Sequence, residues 1–270
     1  MGIKKVDAIF ISHFDEDHAG NLDKVLENFK VGKIYIDSPY LKDYIVDIDH
    51  IRNINNHIYA KLVDEPCFLG TNNVKGDIFT VDNSPCNFYK PSGKEYIEIS
   101  DTSKKSVNIK IDWENRLKLM QDNLAIGILR LLILSDNNLK IDKYKVEPSG
   151  SYINLLNKDI SFKSIADLEE LSNYLITSNL EVENKDGSIN IFRLGEIDYD
   201  GPSLKRTGEI GFLIIKNVTK TLNGIRINIA SGTGAYKDYR RKLDMLNNIK
   251  NYLNLKDEDE IFSAIKKLKA

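Results

Sequence analysis

The chain has 270 residues, of which 41% are hydrophobic and 29% charged, a balance that suits a globular protein of one large domain or two small ones. A net charge of −2 excludes a global attraction to nucleic acid or to an anionic membrane, so any basic binding surface has to be local. The two cysteines, Cys67 and Cys86, are too few for a zinc ribbon and read as core or incidental thiols.

The opening residues, MGIKKVDAIFIS, carry two lysines and a short apolar run that breaks at His13 and Asp15. That pattern fits neither a signal peptide nor a membrane span, and a soluble, cytoplasmic protein with no membrane partner is the expectation. Residues 6–11 are strand-like, and residues 21–29 place Leu22, Val25, Leu26 and Phe29 on one face at helical spacing. Val31 and Gly32 end that helix, residues 33–37 form a second β-rich run, and Ser38-Pro39 closes it. Residues 6–37 therefore read as a βαβ unit with parallel pairing.

Residues 40–62 are expected to be helical, ending before Pro66, with His50 and His57 seven positions apart on a shared face. Residues 67–111 break into short β-prone runs (DIFTV, EYIEI, VNIKI) separated by Gly, Pro, Asn and Ser, the pattern of hairpins or a meander. Residues 113–134 begin amphipathic and become almost wholly apolar, which fits a buried helix or a helix running into a buried strand. Arg116, Lys118, Asp122 and Arg130 interrupt the run too often for a bilayer span.

A helix is predicted over residues 164–176 with Ser164 at its N-cap. Strands are predicted over 189–194, 210–217 and 225–230, the last two joined by a turn at Leu222-Asn223-Gly224. Two helices close the chain at 236–253 and 257–268, the second with acids at its start and lysines at its end, as the helix dipole favours.

The chemistry concentrates in residues 6–22, VDAIFISHFDEDHAGNL, where His13, Asp15, Asp17 and His18 fall within six positions between the first strand and its helix. Ligands bind at the C-terminal edges of strands in open α/β sheets. Mixed imidazole and carboxylate donors suit zinc, manganese or iron. His13 and Asp15 alternate and can face one side of an extended loop, while Asp17 and His18 can turn toward a second ion. The competing reading is an acid-rich loop that caps the helix, with Asp17 as N-cap and Glu16 solvated; two histidines in the same loop argue against it.

The phrase SHFDEDHAGNL resembles the metal-binding signature of the metallo-β-lactamase-fold hydrolases, T/S-H-x-H-x-D-H-x-G-x-L. Ser12, His13, Asp17, His18, Gly20 and Leu22 match it, and Asp15 stands where most members have a second histidine. The H-x-D-x-D-H variant after IKKVDAIFIS is most similar to the metallo-β-lactamase-like domain of competence DNA-uptake proteins of the ComEC type, and the close resemblance covers residues 2–36. The resemblance implies an αββα sandwich, one or two divalent metal ions with zinc foremost, and a bound hydroxide that attacks an ester, amide or phosphodiester. It assigns His13 and Asp15 to the first ion and Asp17 and His18 to the second, with Asp17 also orienting the nucleophilic water. Competence-type relatives imply a nucleic-acid phosphodiester substrate, a small-molecule one being the alternative.

Two departures shape the expectations. The family places strands and a D-x-G phrase ahead of the motif strand, which here begins within the first six residues. An N-terminally short form is expected, or one whose missing strands come from another segment or chain through an uncovered sheet edge. The family also supplies histidines downstream, and this chain has none after His57. Asp136, in LLILSD, faintly echoes the family's strand-then-Asp phrase and is the candidate bridging ligand, a turn residue being the alternative. In the late hairpin, Thr233 or Gly234 stands where that acid would be needed.

Residues 231–234, SGTG, read as a strand-to-helix turn in preference to a phosphate cradle, lacking both the Walker lysine and the dinucleotide spacing. Lys237, Arg240 and Arg241 form a small basic patch beyond it, available to nucleic acid or simply solvated. The expectation is an α/β fold, a partial metallo-β-lactamase-like αββα sandwich over residues 1–235 with a possible insertion within 67–194. The helices of residues 236–270 are expected to pack on the same domain. The expected function is a metal-dependent hydrolase of a phosphodiester or related ester, or else a truncated, non-catalytic member that binds a ligand or partner.

Overall fold

The structure is a computed structural model and describes residues 5–11, 22–36, 43–90, 94–136, 138–157, 160–257 and 259–269. It is a mixed α/β fold, the class read from the sequence, and its contacts divide the chain into two compact units. The first is Met1–Pro66 with Thr80–Trp113, the second Cys67–Phe79 with Glu114–Ala270.

The first unit opens as expected. Strand β1 (Lys5–Ile11), helix α1 (Leu22–Asn28) and strand β2 (Lys30–Ile36) form a βαβ unit. The two strands pair in parallel from Lys5↔Lys30 to Ile11↔Ile36, which requires a crossover of a dozen or more residues, the role of the chain between them. Ile11 and Ile36 thus lie together at the C-terminal edge of the pair.

The helix expected over residues 40–62 is instead a hairpin of β3 (Asp43–Ile54) and β4 (His57–Leu62). Two signals outweigh the helical spacing. Ile45, Val46, Ile48, Ile51, Ile54 and Ile58 are β-branched and stiff at χ1, which favours a pleated surface. Asn55 and Asn56 adopt φ of 51° and 66°, the paired left-handed conformation of a two-residue hairpin loop, which asparagine tolerates better than most residues. Val46, Ala60 and Leu62 are buried in consequence, while His50 and His57 are exposed on strands and do not share a helix face.

The strand-rich reading of the next stretch holds. Strands β5 (Phe79–Val81), β6 (Ser84–Pro85), β7 (Phe88–Tyr89), β8 (Tyr96–Ile99) and β9 (Ser106–Ile111) join β3 and β4 in a seven-stranded sheet ordered β6-β5-β9-β3-β4-β8-β7. The first half of β3 pairs with β9 and the second half with β4, with a register shift between Ile48 and His50 where it changes partner. Val107, Ile109 and Ile111 alternate inward along β9, the period of a strand with one buried face.

The apolar run at 113–134 resolves into one 23-residue helix, α2 (Trp113–Ser135). Leu119, Met120, Leu124, Ile126, Ile128, Leu129 and Ile133 are all buried, so the helix is covered on most sides and forms the centre of the second unit's core. Strands β10 (Ile141–Lys145) and β11 (Ser151–Leu155) follow, then helix α3 (Phe162–Thr177). Its N-cap is Ser161, three residues before the expected Ser164, whose backbone N–H donates to the Ser161 hydroxyl at 3.0 Å.

A three-stranded meander, β12 (Val182–Lys185), β13 (Ser188–Ile191) and β14 (Gly195–Asp198), comes next. The strand expected over 189–194 stops at Ile191 because Arg193 takes a left-handed φ of 62° in the turn. After a 3₁₀ turn (Thr207–Ile210) come β15 (Leu213–Lys220) and β16 (Ile225–Ser231), the expected hairpin. With β10 and β11 they form a four-stranded sheet ordered β10-β11-β16-β15. Helices α4 (Gly232–Tyr252) and α5 (Glu260–Lys269) end the chain. No helix among the described residues is long and apolar enough to cross a membrane.

The hairpin turn depends on Gly224. A Cβ there would come within 1.9 Å of the Leu155 carbonyl oxygen, on the neighbouring β11, so backbone rather than a flexible side chain would have to yield. Gly224→Ala is expected to lower folding stability by about 1–3 kcal/mol, measured by urea unfolding. A stability unchanged from wild type would show that the turn relaxes freely.

Candidate metal centre

The signature lies between two described elements. Ile11 ends β1 and Leu22 begins α1, and His13, Asp15, Asp17 and His18 lie outside the described residues. What the structure places is their anchorage, a parallel strand ending at the sheet's C-terminal edge and a helix that returns the chain to the partner strand. The donor set, two imidazoles and two carboxylates, is chemically suited to a divalent ion of borderline softness.

The described residues add little to that set. Among them no group of three or more His, Cys, Asp and Glu side chains is arranged to hold a metal ion. Asp136 is exposed in the second unit, where α2 ends. Its carboxylate accepts the Asn138 backbone N–H at 2.9 Å, and its carbonyl accepts the Leu139 N–H at 3.0 Å, the bonding of an Asx turn that closes a helix.

His57 donates to Glu98 across the β4–β8 pair at 2.6 Å, and Asn87 donates to the other Glu98 oxygen at 2.8 Å. Those two hydrogen bonds hold the Glu98 carboxyl below the usual carboxylate range. Neither cysteine forms a disulfide with a described residue, and burial pushes the Cys86 thiol up to about 11, which keeps it protonated and a poor ligand at neutral pH.

The SGTG segment is a structural turn. Ser231 donates its backbone N–H and its hydroxyl to the buried Asp122 carboxylate at 3.0 and 2.7 Å. Gly232 N–H bonds the Phe212 carbonyl, and Thr233 N–H bonds the Gln121 side-chain oxygen at 3.1 Å. Protein acceptors already satisfy the amides that a phosphate would need. Asp122 and Gln121, sitting in an apolar run, carried no sequence signal of this role. The basic patch proves larger than its sequence reading, since Lys216 and Lys242 join it around the buried Asp238. The i,i+3 and i,i+4 spacings of Asp238 to Arg241 and Lys242 were the available signal.

Compared with known families, residues 1–41 match the metallo-beta-lactamase superfamily. That span contains β1, α1, β2 and the whole signature. No curated protein matches the chain.

Proposed function

We propose that the chain is a metal-dependent hydrolase of the metallo-β-lactamase superfamily that acts on a phosphodiester or related ester. The observation that supports this most is the coincidence of the superfamily match over residues 1–41 with a parallel βαβ frame whose strand edge leads into the His13–Asp15–Asp17–His18 signature. His13 and Asp15 hold one ion and Asp17 and His18 a second, zinc before manganese or iron, with Asp17 also orienting the attacking water. The ion, when bound, supplies Lewis acidity that brings the pKa of a water molecule near neutrality. The chain's own part is to present the donors in one short segment fixed at both ends by regular structure, and to accept the water's proton at the Asp17 carboxylate.

A second reading, a non-catalytic member that binds a ligand or partner, draws support from one observation. The only histidines beyond the signature, His50 and His57, are exposed strand residues, and His57 is engaged with Glu98. Elemental analysis of purified wild type and of His13→Ala/Asp17→Ala separates metal binding from its absence. Wild type is expected to carry one or two equivalents of metal and the variant a small fraction of that. Equal, negligible metal in both would refute the metal site. Hydrolysis of bis(4-nitrophenyl) phosphate and of single-stranded DNA by the metal-loaded protein then distinguishes the readings: turnover supports the hydrolase, and metal without turnover supports the binding module.

A further inference from the structure

We propose that the first turns of α4, together with Lys216 of β15, form a binding surface for single-stranded nucleic acid. Four cations, Lys237, Arg240, Arg241 and Lys242, fall within six residues of the helix. At about 100° per residue they spread round more than half of its circumference, unlike the single polar face of a helix that lies on a membrane.

One carboxylate organises the centre of this group. Asp238 is buried and lies 3.5 Å from the Lys216 ammonium, 3.0 Å from the Arg241 guanidinium and 2.9 Å from the Lys242 ammonium. The Lys242 ammonium against it, with the other two cations beside it, keeps the carboxyl below the usual range and therefore ionised. A single negative charge among three positive ones leaves a surplus held in place by two different elements. The outer cations are only loosely engaged. Lys237 meets Glu114 with both side chains about 70% exposed, and Arg240 lies 4.0 Å from Asp244. Exposed pairs of this kind are weak and screened by salt, so phosphates can take the place of the carboxylates.

Two tyrosines complete the surface. Tyr236 and Tyr239, beside these cations, are 57% and 55% exposed, so the fold does not use their rings as core. Exposed aromatic rings among fixed cations are the combination that binds unpaired strands, the bases stacking while the backbone is neutralised. A duplex, with its bases already stacked, has no use for the rings. This surface lies wholly in the second unit, so its binding is independent of the metal signature and fails or stands separately from it.

Fluorescence anisotropy of a labelled oligothymidylate, titrated with the full chain at several salt concentrations, tests the proposal. Wild type is expected to bind with a log–log salt slope of about −2 to −3, roughly 0.7 for each phosphate neutralised. Lys237→Gln/Arg240→Gln/Arg241→Gln leaves Lys216 and Lys242 on Asp238, and is expected to weaken binding at least tenfold and flatten the slope. Arg240→Lys/Arg241→Lys is expected to keep the slope. Tyr236→Ala/Tyr239→Ala is expected to weaken binding about tenfold at an unchanged slope. All variants are compared at equal thermal midpoints. Wild type that ignores the oligonucleotide at low salt would overturn the proposal, as would glutamine variants that bind like wild type or alanine variants that bind single strands undiminished. Tighter capture by phosphatidylserine–phosphatidylcholine vesicles that displace the oligonucleotide would reassign the surface to membranes.

Discussion

Asp122→Ala is expected to cost about 3–5 kcal/mol of folding stability, read as a lowered urea midpoint at unchanged slope. The carboxylate is 1% exposed and makes four contacts from three directions. One oxygen accepts the Ser231 N–H and hydroxyl; the other accepts the Ser151 hydroxyl at 2.8 Å and the Lys118 ammonium at 3.0 Å. These tie α2 to β11 and to the junction of β16 with α4. Alanine would leave the Ser231 amide and two hydroxyls buried without an acceptor, and a buried donor left unpaired costs far more than the bond itself contributed. Asp122→Asn keeps one oxygen acceptor and is expected to cost about half as much. A loss below 1 kcal/mol in the alanine variant would mean that water enters and satisfies the orphaned groups.

Arg116→Ala is expected to have an effect of the same order, about 3–5 kcal/mol, for an electrostatic reason. Arg116 and Asp77 have side chains 6% and 1% exposed, and the guanidinium engages both carboxylate oxygens, its Nε donating to one at 3.0 Å. Asp77 also accepts the Phe68 N–H at 2.7 Å, so the pair fastens the Cys67–Phe79 segment to α2 within the second unit. Removing the cation leaves a buried carboxylate without the countercharge it has in the native fold. The double variant Arg116→Met/Asp77→Leu removes both charges together and is expected to be more stable than Arg116→Ala alone. If the double variant were instead less stable by the sum of the two single losses, the pair would be shown not to interact.

The elements that could be read from the sequence were those whose information is local. The βαβ unit was legible because Val6, Ile9 and Ile11 end at a cluster of acids and Val25, Leu26 and Phe29 recur at helical spacing. The β15–β16 hairpin announced itself through Asn223-Gly224. The β3–β4 hairpin was missed because its isoleucines also satisfy a helical spacing, and the left-handed Asn55-Asn56 pair that decides the matter is a weaker signal than Asn-Gly. Asp122 was legible only as an interruption in an apolar run. Its partners, Ser151 and Ser231, lie far away in the chain and no local pattern joins them. The signature is a local pattern too, since His13, Asp15, Asp17 and His18 fall within six positions of the sequence, inside the span that matches the superfamily.

The divided pairing of β3 has a kinetic consequence. Its second half closes onto β4 across two asparagines, an event on the scale of microseconds, whereas its first half must wait for β9, at the far end of the unit's sequence, and carry the entropy of closing a long loop. The quick partner fixes the pleat for the slow one. A one-residue slip at Asn55-Asn56 would turn Val46 outward before β9 arrives, so an exposed two-residue turn bears on the register of a pairing made much later in the chain.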